Sequence, residues 1–282
     1  MSSERGSGSP RQDLESIEIR TLLEAIYQRY GYDFRKYARG SLRRRLWRRA
    51  DAEGVKTISG LQERVLHNPV AMEALLMDLS VNVTAMFRDP SFYVALRDKV
   101  VPILRTYPFV RIWNAGCSTG EEVYSIAILL REEGLLDRAR IYATDINEHV
   151  LERAGEGVIA LDRMRTFTHN YQRAGGSEVF SQYYKAEGTR ARIDPELLRN
   201  VVFAHHNLVS DRSFNEFHLI ICRNVMIYFD KELQDEVHEL FLQSLVKLGI
   251  LALGNKESIR FNSVTSRYEE LDPEEKIYRR AV

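Results

Sequence analysis

Cysteine is scarce in this 282-residue chain. The two present, Cys117 and Cys222, are too few for a disulfide scaffold and stand at no zinc-site spacing, so a reducing compartment and no bound metal are expected. No apolar run approaches the ~18 residues of a membrane span, and the first ten residues, rich in Ser and Gly, lack the apolar core of a secretory leader. The expectation is a cytoplasmic protein, not inserted in a membrane, whose residues 1–12 form a flexible tail. Net charge is absent too, with 40 Lys+Arg against 40 Asp+Glu, and there are no repeats or low-complexity blocks. What remains, 44% hydrophobic and 28% charged, is an ordinary globular balance with length for one large domain or two modest ones.

Apolar residues recur at helical spacing from Leu14 through Ile17, Leu22, Ile26 and Tyr30, and every fourth residue from Phe34 through Ala38, Leu42, Leu46 and Ala50. Leu61, Val65, Met72, Leu75, Leu76 and Leu79 continue the pattern, which predicts a helical domain over residues 13–81. Residues 82–108 read as an interdomain linker and a helix from Pro90 to about Arg105. Strands at 109–113 and 140–144 alternate with helices at 121–133 and 147–155, the pattern of parallel βαβ units. A strand at 217–222, a helix at 231–247, a strand at 248–253 and an antiparallel hairpin around Asp272-Pro273 follow. Short strand candidates at 191–193 and 200–203 predict a small β subdomain over about 188–206. The expected fold is α/β, a small N-terminal helical domain followed by a Rossmann-like sheet domain over 109–282 with a small β insertion.

Five constellations could carry chemistry. Trp113-Asn114-Ala115-Gly116-Cys117-Ser118-Thr119-Gly120-Glu121-Glu122 places small residues where a strand hands over to a helix, which suits a ligand lying close to the backbone. It lacks the Lys of a phosphate-binding loop and the G-x-G-x-x-G spacing, and it also suits a plain tight turn. Asp145 ends the next strand, where a carboxylate can receive ribose hydroxyls or cap the following helix. Together they favour a nucleoside cofactor without phosphate contacts, S-adenosylmethionine over NAD or ATP. Arg223, Asn224 and Tyr228 lie just past the carboxyl end of a strand, where open sheets bind ligands. Polar residues 82, 84 and 88 of Asn82-Val83-Thr84-Ala85-Met86-Phe87-Arg88-Asp89-Pro90 could face a cleft, with Asp89 as helix N-cap before Pro90. Residues 35–49 hold Arg35, Lys36, Arg39, Arg43, Arg44, Arg45, Arg48 and Arg49 and no acid. Spacings of four align these cations away from Phe34, Leu42 and Leu46, which suits a negatively charged partner. Residues 1–81 carry 14 basic and 11 acidic residues and residues 82–282 carry 26 and 29, so the neutral total is a cancellation.

These motifs resemble, in order, the CheR-type family, the chemotaxis receptor glutamate O-methyltransferases. The matching pieces are Asn82 to Arg88, Ala115 to Ser125, Ala143-Thr144-Asp145-Ile146, His206-Asn207-Leu208 and Cys222 to Phe229. The resemblance implies methyl transfer from S-adenosylmethionine to glutamate side chains on cytoplasmic methylation helices of chemotaxis receptors, giving methyl esters and S-adenosylhomocysteine for sensory adaptation. It implies that Asn82, Thr84, Arg88, Gly116, Glu122, Asp145, Asn207, Leu208, Arg223 and Asn224 hold the cofactor. Arg88 and Tyr228 would stand at the active centre, and Arg39, Arg43, Arg44 and Arg48 would dock the receptor. Val123 and Met86 replace a common Pro and Phe. The short insertion before Asn207 implies that no receptor tethering peptide is used. No nucleic-acid partner is expected, and a monomer is. The alternatives from the residues alone are a cofactor-binding sensing module, or a methyltransferase for RNA or a small molecule.

Overall fold

A computed structural model describes residues 10–80, 83–260 and 262–281. Asn82 lies outside them, as do residues 1–9 of the expected tail. The chain divides into two compact units, one of the N-terminal helices together with Tyr228–Leu233, the other of the remaining residues from the segment after Val81 onward.

The first unit holds α1 (Pro10–Tyr30), α2 (Arg39–Ala52), α3 (Ile58–His67) and α4 (Pro69–Leu79). Leu22, Ile26, Phe34, Leu42, Leu46, Leu61, Val65 and Leu75 form its buried core. Thr57 caps α3 by accepting from the Gly60 N–H, and Asn68 caps α4 ahead of Pro69. The second helix starts at Arg39, not at Phe34, because the chain before it forms a turn at 35–36 and a β-bridge at Tyr37. Tyr37 bridges antiparallel to Phe229, the Ala38 N–H donates to the Tyr228 carbonyl, and the Asp230 N–H donates to the Lys36 carbonyl. Phe34 is buried without being helical, so the every-fourth spacing that included it was coincidental.

The second unit opens with α5 (Pro90–Ala95) and α6 (Val101–Leu104), separated by a π turn at Leu96–Val100. Pro102 cannot donate to the Asp98 carbonyl and its ring crowds it, which accounts for the widened turn inside the single helix expected. There follow β1 (Val110–Ala115), α7 (Glu121–Glu132), β2 (Ala139–Asp145), α8 (Glu148–Glu156), β3 (Val158–Ala160), α9 (Met164–Arg173), β4 (Tyr184–Glu187), β5 (Arg190–Ile193), α10 (Pro195–Leu198), β6 (Val201–His205), β7 (Phe217–Cys222), α11 (Lys231–Ser244), β8 (Leu245–Leu253), β9 (Tyr268–Asp272) and β10 (Ile277–Arg280).

Seven strands form one sheet in the order β6-β2-β1-β7-β8-β10-β9. The first five pair in parallel and the last two close it as an antiparallel hairpin. Ile112, Trp113, Ile220, Ile221, Ile250 and Leu251 are almost wholly buried, as strands covered on both faces require. The smaller sheet, β3-β5-β4, corrects the expected subdomain. It draws on Val158–Ile193 rather than 188–206, and the candidate near 201 pairs with β2 at the edge of the main sheet. Leu46→Ala, at a position with no exposed surface, should destabilise the helical unit by about 2–5 kcal/mol in a denaturant titration.

Candidate active site

Chain order runs outward from β1 through β2 to β6 on one side and from β7 to β8 on the other, so the switch point lies between β1 and β7. Ligands of open α/β sheets bind outside the strand ends at such a point. The segments leaving those ends, 116–120 and 223–227, carry Gly116, Arg223 and Asn224 of the predicted site.

Gly116 has φ +76°, and a Cβ there would stand 2.4 Å from Val225 Cγ2. At Gly120, φ +91°, a Cβ would meet Tyr124 Oη at 2.7 Å. At both positions the left-handed backbone and the side chains that a Cβ would strike require glycine. The turn is tied to the end of β2: the Gly116 and Cys117 N–H groups donate to the Thr144 carbonyl, and the Ser118 N–H donates to Asp145 Oδ2 at 2.9 Å.

Asp145 is buried, and its Oδ1 accepts from the Asn147 N–H at 3.0 Å. The capping of α8 falls instead to Asn147, which accepts from the His149 N–H. A carboxylate has about four acceptor positions, so with three backbone amides on it Asp145 retains one unshared position for a hydroxyl. Burial pushes its pKa up, against the lowering effect of amide bonds from Asn147, Ser118 and Ile146. Beside it the His206 N–H donates to the Asp145 carbonyl, so Asn207 and Leu208 leave β6 next to Asp145. Asn207 is buried and its Oδ1 accepts from the Val209 N–H. His206 packs edge-on against Trp113, and burial lowers its pKa.

On the β7 side the Arg223 side chain is only 1% exposed. Its Nη1 lies 2.8 Å from Glu122 Oε2 and its Nη2 2.8 Å from Asp89 Oδ2. Nη1 also donates to the Arg88 carbonyl, and the guanidinium stacks 4.0 Å from the centre of the Phe92 ring. Burial pulls its pKa down, and the charges of Glu122, Tyr93 and Asp89 more than reverse this. Asn114 Nδ2 donates to Glu122 Oε1 at 2.7 Å, while Asn114 Oδ1 and Arg223 Nε are buried without a partner. Asp89 precedes α5 as expected but makes no side-chain cap; in left-handed conformation at φ +55°, it gives its carboxylate to Arg223.

The segment before Asp89 is held from three sides. Arg163 donates to the Thr84 carbonyl and pairs with the buried Glu121, Asn170 donates to the Met86 carbonyl, and the Phe87 N–H donates to Ser125 Oγ. Phe87, Asp89, Ser118 and Asn224 all have positive φ, which concentrates backbone strain around the switch point. The Arg88 guanidinium donates to the Val83 carbonyl at 2.8 Å and has no carboxylate partner among the described residues. Cys117 and Cys222 are buried with their thiols pushed well up, so neither supplies a thiolate.

Within the helical unit, the Arg45 guanidinium lies 4.4 Å from the centre of the Tyr228 ring, and Arg45 donates to the Leu79 carbonyl at 2.7 Å. Arg45 is thus buried and leaves the exposed cationic face expected of it. Arg35 and Lys36 precede α2 and pair with Glu24, Asp33 and Glu232. Arg43 pairs with Glu15, Arg48 with Asp78, and Arg49 with Asp78 and Glu53. Arg39 and Arg44 remain exposed with no ion-pair partner among the described residues. The acid-free run is therefore largely neutralised in space.

Asp89 as an ion-pair partner, Asn114 and Glu257 were missed in sequence. Glu257 is buried and accepts from four backbone N–H groups around residues 224–226 and 254; its only signal is an acid three residues after the glycine that ends a strand. The assembled groups fit S-adenosylmethionine. A phosphate at the start of α7 would meet Glu121 and Glu122 instead of a Lys, whereas Asp145 offers an acceptor to a ribose hydroxyl. A carboxyl of raised pKa contributes stability that is fully present below its unfolded value, about 3.9, and is lost as pH rises through the folded value. The unfolding free energy of the wild type relative to Asp145→Asn should therefore shift in the wild type's favour as pH falls from 7 toward 4; denaturant titrations at several pH values check this.

The sequence is similar to that of known proteins. The family described as CheR methyltransferase, SAM binding domain, matches residues 82–275, and that described as CheR methyltransferase, all-alpha domain, matches residues 17–80. Cher3 of Pseudomonas putida is 50% identical over 94% of this chain and 97% of its own length. The chemotaxis protein methyltransferase of Salmonella typhimurium is 32% identical over 88% of this chain and 86% of its own, and that of Escherichia coli 31% identical over the same shares. With one family domain spanning more than half of the chain and such relatives along most of it, the protein belongs to the CheR methyltransferase family and is an S-adenosylmethionine-dependent methyltransferase.

Proposed function

We propose that the chain methylates glutamate side chains on the cytoplasmic methylation helices of chemotaxis receptors, acting as a cytoplasmic monomer and yielding methyl esters and S-adenosylhomocysteine. The relatives named chemotaxis protein methyltransferases support the receptor class. The observation that carries the choice of an acidic acceptor is Arg88. Arg223 spends its charge on Asp89 and Glu122, whereas Arg88, next in the same segment, has no carboxylate partner among the described residues. A tethering peptide is not required in this reading, which the two-residue turn Gly188-Thr189 between β4 and β5 supports.

S-adenosylmethionine, when bound, supplies an electrophilic methyl group on a sulfonium. Asp145 would receive a ribose hydroxyl, and Asn207 and Leu208 would lie by the adenine. Thr84, Arg88, Glu122, Arg223 and Asn224 would hold the methionine end, with Asn82 from the same segment. A glutamate with a reference pKa near 4.3 is already ionised at neutral pH, so no residue need act as general base. Arg88, with five N–H donors, would serve the methionine carboxylate and still offer donors to the incoming glutamate, and Tyr228, held against Arg45, would position the reacting groups.

Arg88→Ala and Tyr228→Phe should each lower methyl transfer on the order of 10–100-fold with little change in thermal midpoint. Wild-type turnover in both, measured as base-labile tritiated methanol from methylated receptor, would sink the assignment. Arg39 and Arg44 are the free cations of α2. Their reversal to Glu should raise the KM for receptor about tenfold, most strongly at low salt, and leave cofactor affinity alone. An unchanged receptor KM would remove α2 from the docking surface.

A further inference from the structure

Between the end of β7 and the single 3-10 turn at Met226–Tyr228, three successive N–H groups, of Asn224, Val225 and Met226, converge on one buried point. Asn224 has φ +61°, and alternating left- and right-handed residues curl a backbone into such an anion-binding nest. The anion is the Glu257 carboxylate. Its Oε2 accepts from Asn224 at 2.9 Å and from Gly254 at 2.8 Å, and its Oε1 accepts from Val225 at 2.9 Å and Met226 at 2.8 Å. Gly254 is required for this, since a Cβ there would stand 2.7 Å from Glu257 Oε2 and 2.9 Å from the Asn224 nitrogen.

Glu257 reaches the loop because Cys222 and Leu253 are register partners on adjacent parallel strands, so the residues after β7 and β8 leave the sheet side by side. The middle residue of the gripped triplet, Val225, is the one whose methyl group occupies the space over Gly116. Arg223 and Asn224 immediately precede it. We infer that Glu257 is a positioning residue for the cofactor: by gripping the 224–226 amides it seats Val225 on the Gly116 turn and fixes Arg223 and Asn224 at the strand end. Burial raises the Glu257 pKa, against the lowering effect of the four amides, so this side chain sits in an environment that disfavours its charge and is met there by a full set of donors. A side chain needed only to fill space would not carry that penalty.

The inference rests on the reading of Asp145 as the ribose acceptor, so the test keeps the two apart. Calorimetric titration with S-adenosylhomocysteine would be run on the full chain and on Asp145→Asn, Glu257→Gln, Gly254→Ala, Val225→Ala, the Glu257→Gln/Val225→Ala double variant and Leu197→Ala. The last is a core truncation in α10, outside the site. Glu257→Gln presents an amide N–H₂ to backbone donors, and Gly254→Ala displaces the carboxylate without altering it. Both should weaken binding tenfold or more. Leu197→Ala should leave affinity within twofold at a similar loss of thermal midpoint, and Val225→Ala should lose less affinity in the Glu257→Gln background than alone. The inference is overturned if Glu257→Gln binds like the wild type while Asp145→Asn does not, or if Leu197→Ala loses as much affinity as Glu257→Gln. Unchanged binding by Asp145→Asn would instead bring down the ribose assignment, and the positioning role with it.

Discussion

A guanidinium with almost no access to water must be matched by acids, and the placement of those acids organises the centre of this molecule. Arg223 follows the last residue of β7, and the two carboxylates that neutralise it come from elsewhere in the chain. Glu122 stands in the first turn of α7, where a negative charge also meets the favourable end of the helix dipole. Asp89 must adopt a left-handed conformation to present its carboxylate, and in doing so it sets the course of residues 83–88. Removing either acid leaves a buried charge short of a partner, a far larger penalty than an exposed pair would suffer. One side chain thereby joins a strand end, a helix start and an irregular segment.

Much of this fold was legible in sequence because its central strands are buried on both faces and read as short apolar runs between turns. The features that escaped depend on partners distant in the chain. Val201–His205 and Arg190–Ile193 have similar lengths and textures, and only pairing with β2 or with β3 distinguishes them. Three residues, Val158–Ala160, are too few to show a period. Phe34 matched a helical repeat, but its backbone neighbours are engaged by the Tyr228–Asp230 segment, nearly two hundred residues away. The π turn was readable from Pro102 and was overlooked, since the surrounding apolar spacing suggested an unbroken helix.

The charges follow the same logic. A list of cations along α2 shows no acid nearby, yet Glu15, Glu24, Asp33, Glu53, Asp78 and Glu232 reach that region from other segments. A linear count measures charge per residue, whereas docking depends on charge left over after folding. By that measure Arg39 and Arg44 matter more than their neighbours, and Arg45 matters in another way. Buried and stacked on Tyr228, it spends its cation on an aromatic face within its own unit.

The residues after β7 show why the site needs acids from several segments of the chain. Arg223 requires negative charge at its side chain, and the next three residues require it at their backbone. A single neighbour could not serve both, because the guanidinium and the amide nest need oxygens in different places. Asp89 and Glu122 answer the first demand and Glu257 the second, so carboxylates from three separate segments hold four consecutive residues. Glu121 is likewise committed to Arg163. Within residues 83–89 and 223–226, where these acids are committed to cations or amides, Arg88 is the guanidinium that has no carboxylate partner among the described residues. A carboxylate arriving beside that segment meets a guanidinium that Asp89, Glu121 and Glu122 do not already hold.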